Sequence, residues 1–238
     1  MGMPHGPAAT TESCAHPLRM LATMSLLMFL HDTDGIVVVT DTLATAPDGT
    51  PSFFKTKAFP IPHLQMVVAM TGLANLGEKL IDRLYTSMLA RDIDMAAQHT
   101  PATLTAIIGE LADQFGPFDG TSTIYYFGYS PHHGQYVRYA FRSTSGFQPE
   151  FWTEGGFGVK PHPDGQFESP ATFPEMIALA ERIRAEQAAV PLAERIHIGG
   201  QLTLTVLRDR HITSLQLHEF ADAEQQWHQM HDYHDAWS

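Results

Sequence analysis

From position 25 the chain reads Ser-Leu-Leu-Met-Phe-Leu, then a polar His-Asp-Thr-Asp-Gly segment, then Ile-Val-Val-Val-Thr-Asp up to Asp41. Two short apolar runs joined by a Gly-containing polar turn predict a β-hairpin. Both arms are apolar at nearly every position, so the strands are expected to be covered on both faces. Two more strands follow at 57–61 and 63–71, and Gly72 breaks the second. Leu76, Leu80, Ile81, Leu84, Met88 and Leu89 recur at three- and four-residue steps, which predicts a helix over 73–90. A second helix is expected to start at Thr100 with Pro101 in its first turn, burying Leu104, Ile107, Ile108 and Leu111. Strands are then predicted over 122–128, 135–141 and 147–153. The capping-box spacing Thr172-Phe-Pro-Glu175 starts a third helix through Met176, Leu179 and Ile183. The last two strands, 200–207 and 211–217, face each other across Arg208-Asp209-Arg210.

Strands, two helices, strands, one helix and strands again do not fit the regular alternation of a doubly wound parallel sheet. The order predicts an α+β fold, a four-layer αββα sandwich of two antiparallel sheets flanked by helices. Residues 1–23 mix Gly, Pro, Thr, Ser and His without an apolar period and are read as a disordered leader or an overlong start. Residues 24–219 form the domain, and 220–238 a His- and Asp-rich tail.

Charge narrows the partners. Against 14 Lys and Arg stand 26 Asp and Glu, a formal net charge of -12, which repels nucleic acid and anionic membrane surfaces. Cys14 is the single cysteine, so no disulfide forms within the chain and a reducing, cytoplasmic setting is expected. The apolar run 20–30 is too short to span a bilayer, and His31, Asp32, Thr33 and Asp34 after it offer no small-residue cleavage site.

Three polar residues are regularly placed. Sixteen positions separate Ser25, at the start of the first hairpin arm, from Asp41 at the end of the second, and sixteen more separate Asp41 from Lys57. Around them stand Asp-Gly-Ile-Val-Val-Val-Thr-Asp-Thr-Leu-Ala-Thr (34–45), Val-Ala-Met-Thr-Gly-Leu-Ala (68–74) and Ile-His-Ile-Gly-Gly-Gln-Leu-Thr-Leu-Thr-Val-Leu (196–207). These segments resemble the proteasome β-subunits of the N-terminal-nucleophile (Ntn) hydrolases, in particular the bacterial proteasome-homologue type. The likeness is dense over 24–76 and looser beyond.

The resemblance implies hydrolysis of an amide or peptide bond, or acyl transfer, through an acyl-enzyme. In such enzymes a hydroxyl on the first residue attacks, and the free α-amine of that residue is the base, its unperturbed pKa of about 7.7–8.0 leaving a useful neutral fraction. Ser25 is then the nucleophile, Lys57 supplies positive charge, Asp41 holds Lys57, and the backbone at Thr71 and Gly72 holds the oxyanion. Met24 precedes Ser25, and translation starting there followed by loss of the methionine would free the Ser25 amine. Thr23 is the alternative nucleophile. The resemblance calls for no metal or organic cofactor, a peptide or small-amide substrate, and a homo-oligomer, since members of the family assemble into rings.

Some positions depart from the pattern. Where the family places an Asp and a Ser that support the amine, this chain has Arg195 and Ile198; Glu154 in Glu-Gly-Gly is a stand-in. A proteasome-like scaffold without catalysis is therefore the alternative reading. Read singly, Asp41 is a turn residue and Lys57 a solvated edge lysine. His228, His231 and His234 rotate progressively around a helix and do not converge on a metal.

Overall fold

The computed structural model describes residues 22–23, 26–46, 48–118, 120–192 and 194–235, with side chains from 26 to 232. The first hairpin forms as its pattern predicts: β2 (Leu27–His31) pairs antiparallel with β3 (Gly35–Asp41), Leu27 opposite Thr40 and His31 opposite Ile36. On the far side of β3 lie β12 (Gln201–Arg208) and then β13 (His211–Glu219), while β11 (Gly156–Lys160) flanks β2. This is the first sheet. The second centres on β7 (Met66–Leu73), β8 (Thr123–Ser130), β9 (Gln135–Arg142) and β10 (Pro149–Trp152), all antiparallel. Along the other border of β7 lie β6 (Ala58–Ile61), opposite Ala69 to Met66, and β1 (Ala22–Thr23), opposite Leu73 and Gly72. A small ribbon of β4 (Leu43–Thr45) and β5 (Pro51–Phe54) follows β3.

Among the described residues, apolar side chains on both faces of each sheet create three cores. Between the sheets, Leu27, Ile36 and Val38 pack against Val67, Ala69, Tyr125, Phe127 and Ala140. Outside the second sheet, α1 (Ala74–Thr86) and α2 (Ile93–Phe115) bury Leu76, Leu80, Leu104, Ile107 and Leu111 against Met66, Val68, Tyr126 and Phe141. Outside the first, α3 (Phe173–Ala188) buries Met176, Leu179, Ala180 and Ile183 against Met28, Val39, Leu202 and Leu204. The result is the αββα sandwich. Among the described residues no helix is long and apolar enough to cross a membrane.

Four details differ from the sequence expectations. The second helix starts at Ile93, not Thr100, because Asp92 caps it by accepting from the Met95 N–H and Asp94 adds charge to its first turn. Pro101 therefore lies inside it. The short strands β4 and β5, on either side of the Pro- and Gly-containing loop at 46–51, are not among the expected elements. A further strand, β11, completes the border of the first sheet. Finally, the segment read as a tail contains α4 (Ala223–Asp235), which buries Ala223 and Met230. The third helix carries its capping box as predicted, Thr172 and Glu175 bonding each other's backbone N–H.

Candidate active site

β3 ends at Asp41, whose carboxylate is fully enclosed and takes three donors. Lys57 Nζ donates to Oδ1 at 2.8 Å, the Leu26 N–H to Oδ1 at 3.0 Å and the Gly199 N–H to Oδ2 at 3.1 Å. Lys57, just before β6, is 2% exposed, and its ammonium also donates to the Leu43 carbonyl at 2.6 Å. Burial pushes the Asp41 carboxyl up and the Lys57 ammonium down, and each partner opposes the other's shift. With three donors on one carboxylate the arrangement is that of a held ion pair.

Local structure explains why these groups meet. Gly199 and Gly200 enter β12 beside the end of β3, and the Leu43 and Thr42 N–H groups bond the Gly199 carbonyl. Gly200 has φ +69°, and a Cβ there would lie 2.4 Å from Thr42 Oγ1. Thr42 Oγ1 in turn accepts from the Gln201 N–H at 2.9 Å. The Gly199 N–H, bonded to Asp41, is a site contact the sequence reading did not name; backbone donors leave no side-chain signature. Gln226 of α4 accepts from the Gly200 N–H at 2.8 Å, which ties that helix to the same turn.

Thr71 and Gly72 lie near the end of β7. Ala58, next to Lys57, faces Ala69, so the β6–β7 pairing carries Lys57 toward Thr71. Gly72 has φ +100°, and a Cβ on it would meet the Thr121 carbonyl at 2.3 Å and Ser122 Oγ at 2.6 Å. Only glycine suits that backbone. Ser122 Oγ accepts from the Leu73 N–H at 3.0 Å, fixing the turn from β7 into α1. Ser25 lies outside the described residues. Thr23 stands in β1 with its backbone opposite Gly72, and its side chain is likewise outside the described ones.

The departures have structural explanations. Arg195 donates to the Ala188 and Val190 carbonyls at the end of α3, and Ile198 is buried in the outer core of the first sheet. Glu154 does not stand in for an amine support: it precedes β11 at the end where Gly156 faces His31, whereas the Asp41 end of β2 faces Lys160. Trp227 packs on His231 at 5.1 Å, and among the described residues no three His, Cys, Asp or Glu gather to hold a metal.

No protein-family model and no curated protein matches the sequence. Solved structures do match in shape. One is the Anbu complex from Pseudomonas aeruginosa, described as a helical assembly, with 15% identity, 89% of this chain and 95% of that one covered, and a TM-score of 0.59. Another is Anbu, the ancestral beta-subunit, from Yersinia bercovieri, at 10% identity, 89% and 94% coverage and a TM-score of 0.59. The Gly-1 mutant of Anbu from Hyphomicrobium sp. strain MC1 gives 14%, 90%, 96% and 0.54. The expected resemblance to the bacterial proteasome-homologue type is thereby corrected: the structural neighbours are Anbu proteins, a different though related branch. At these identities the likeness is one of architecture, and this chain has the proteasome-like Ntn fold that Anbu shares.

Proposed function

We propose that the chain is an Ntn hydrolase that cleaves an amide or peptide bond once Ser25 has become the first residue. The observation that carries this reading is the enclosed Lys57–Asp41 pair, whose carboxylate also grips the Leu26 N–H, one residue beyond Ser25. In this reading Ser25 Oγ attacks the carbonyl, its own amine takes the proton, and Lys57 lowers the cost of the developing alkoxide. Backbone N–H groups at Thr71 and Gly72 stabilise the oxyanion, whose collapse breaks the C–N bond as the Ser25 ammonium returns its proton to the departing amine, and water then hydrolyses the acyl-enzyme. Thr23 is the alternative nucleophile. Removal of the residues before Ser25 would also take β1 from the border of β7, where an extended peptide could then pair. The Anbu structure described as a helical assembly supports self-association by analogy.

Intact mass of the natively expressed protein tests the maturation, and a serine-directed β-lactone or boronate tests the nucleophile. The reading expects a mass beginning at Ser25 and labelling that disappears in Ser25→Ala. A mass that retains Met1, with no labelling, would overturn it. The second reading, a scaffold without catalysis, is favoured by Arg195 and Ile198, neither of which carries an acceptor side chain for an ammonium. Mature protein that begins at Ser25 yet resists the probe would select it.

A further inference from the structure

On the inner face of the sandwich, beside the first residues of β2, lies a cavity of about 260 Å³ that the hydrolase reading does not use. Period-two alternation builds it. Along β9, Arg138 and Arg142 share the face of Tyr136 and Ala140 toward the first sheet, while Val137 and Phe141 face α2. Trp152 on β10 stands opposite Arg138 in register. Across the cleft, Phe29 and Leu27 of β2 face Gly158 and Lys160 of β11. A Cβ at Gly158 would meet the Phe29 ring at 2.2 Å, so the glycine gives that ring its place.

Three of the chain's 14 basic side chains thus converge on one cavity in a protein of net charge -12. Their partners do not balance them. Arg142 has a carboxylate, its Nε donating to Glu150 Oε1 at 2.6 Å. Lys160 Nζ donates to a neutral hydroxyl, Thr123 Oγ1, at 3.1 Å. Arg138 lies against two rings, 5.1 Å from the Phe29 centroid and 5.0 Å from that of Trp152. Its Nη1 is buried, with no hydrogen-bond partner among the described residues. Partial burial pushes both Arg138 and Lys160 below their ordinary values, and the neighbouring Arg142 lowers Lys160 further. A buried donor without an acceptor is costly, and an anion that accepts from Arg138 Nη1 offsets that cost.

We propose that this cavity binds a carboxylate carried on an apolar or peptide stem, with Arg138 and Lys160 as its donors and Phe29, Tyr125 and Trp152 as the walls that take the stem. The carboxylate belongs either to an acidic side chain or to a chain terminus. The site does not depend on cleavage chemistry, so it is tested by binding.

Calorimetric titration of the full chain would use N-acetyl-L-glutamic acid α-amide as the side-chain probe, N-acetyl-L-alanine as the terminus probe and N-acetyl-L-glutamine α-amide as the neutral control. Either carboxylate binding at least about tenfold more tightly than the neutral control supports the site, and the tighter of the two names the source. Arg138→Gln and Lys160→Met should each weaken that probe by about tenfold or more, while thermal melting reports that the variants remain folded. Lys160 is half-buried at the rim, so its variant keeps the test sharp if Arg138→Gln unfolds. Equal affinity for acid and amide, no heat with either acid, or unchanged binding in a folded Lys160→Met would overturn the proposal. Inorganic phosphate binding as tightly as either acid would overturn the role of the aromatic walls.

Discussion

Lys57 Nζ stands 2.8 Å from Asp41 Oδ1 with both side chains shut away from solvent, so neither charge has water to fall back on. Removing one partner leaves the other buried and uncompensated. Lys57→Met should therefore destabilise the fold by about 3–5 kcal/mol. Urea unfolding would register it, and a loss under about 1 kcal/mol would show that the pair has another source of compensation.

Gly72 is held at φ +100° against the Thr121 carbonyl and Ser122 Oγ. Gly72→Ala should cost about 1–2 kcal/mol for the left-handed backbone, with the clash adding about 1–3 kcal/mol. Melting temperature gives the sum. A silent substitution would mean that the end of β7 is free to move.

His31 gives a pH signature. It is buried, its Nε2 donates to the Tyr136 carbonyl at 3.1 Å, and its Nδ1 has no partner among the described residues. Burial holds its pKa below the ordinary 6.5; the bond to the Tyr136 carbonyl and the charge of Asp32 oppose the shift, and Arg138 adds to it. Above pH 6.5 the ring is neutral in both folded and unfolded chains and stability is at its full value. As pH falls below that point the unfolded chain takes up a proton that the folded one refuses, until the lowered pKa is passed. Denaturant unfolding at stepped pH should lose stability with a slope of at most about 1.4 kcal/mol per unit, the limit for one proton, and His31→Gln should flatten it. Identical slopes in both proteins would assign the acid sensitivity elsewhere.

Gln226 is the acceptor for the buried Gly200 N–H, next to the Gly199 N–H that bonds Asp41. Gln226→Ala should cost about 1–3 kcal/mol by orphaning that donor. Hydrogen exchange at Gly199 and Gly200 should rise with it. Unchanged protection there would uncouple α4 from the turn.

Several of these features were legible in the sequence, for identifiable reasons. The first hairpin announces itself because β2 and β3 are apolar on both faces, and the Asp41–Lys57 contact because spacing and a family pattern coincide. Pro101 misplaced the second helix: proline usually opens a helix, yet here Asp92 supplies a cap about two turns upstream. β11 contains Gly156 and Gly158 and borders its sheet, so neither composition nor alternation marks it. α4 is polar along most of its length and is fastened through Gln226, a contact with no hydrophobic signature. Arg138 and Arg142 alternate along β9, but the strand expected at 135–141 stops short of Arg142, and which face of a strand looks inward depends on what covers the other.

The short strand β1 lies on β7 at Leu73 and Gly72, along the same border that β6 occupies further down. A chain that keeps those residues presents a sealed margin there. A chain trimmed past them gains, in one cut, an exposed main-chain ladder beside Gly72 and a new leading residue, so shortening the polypeptide would add a surface to the molecule.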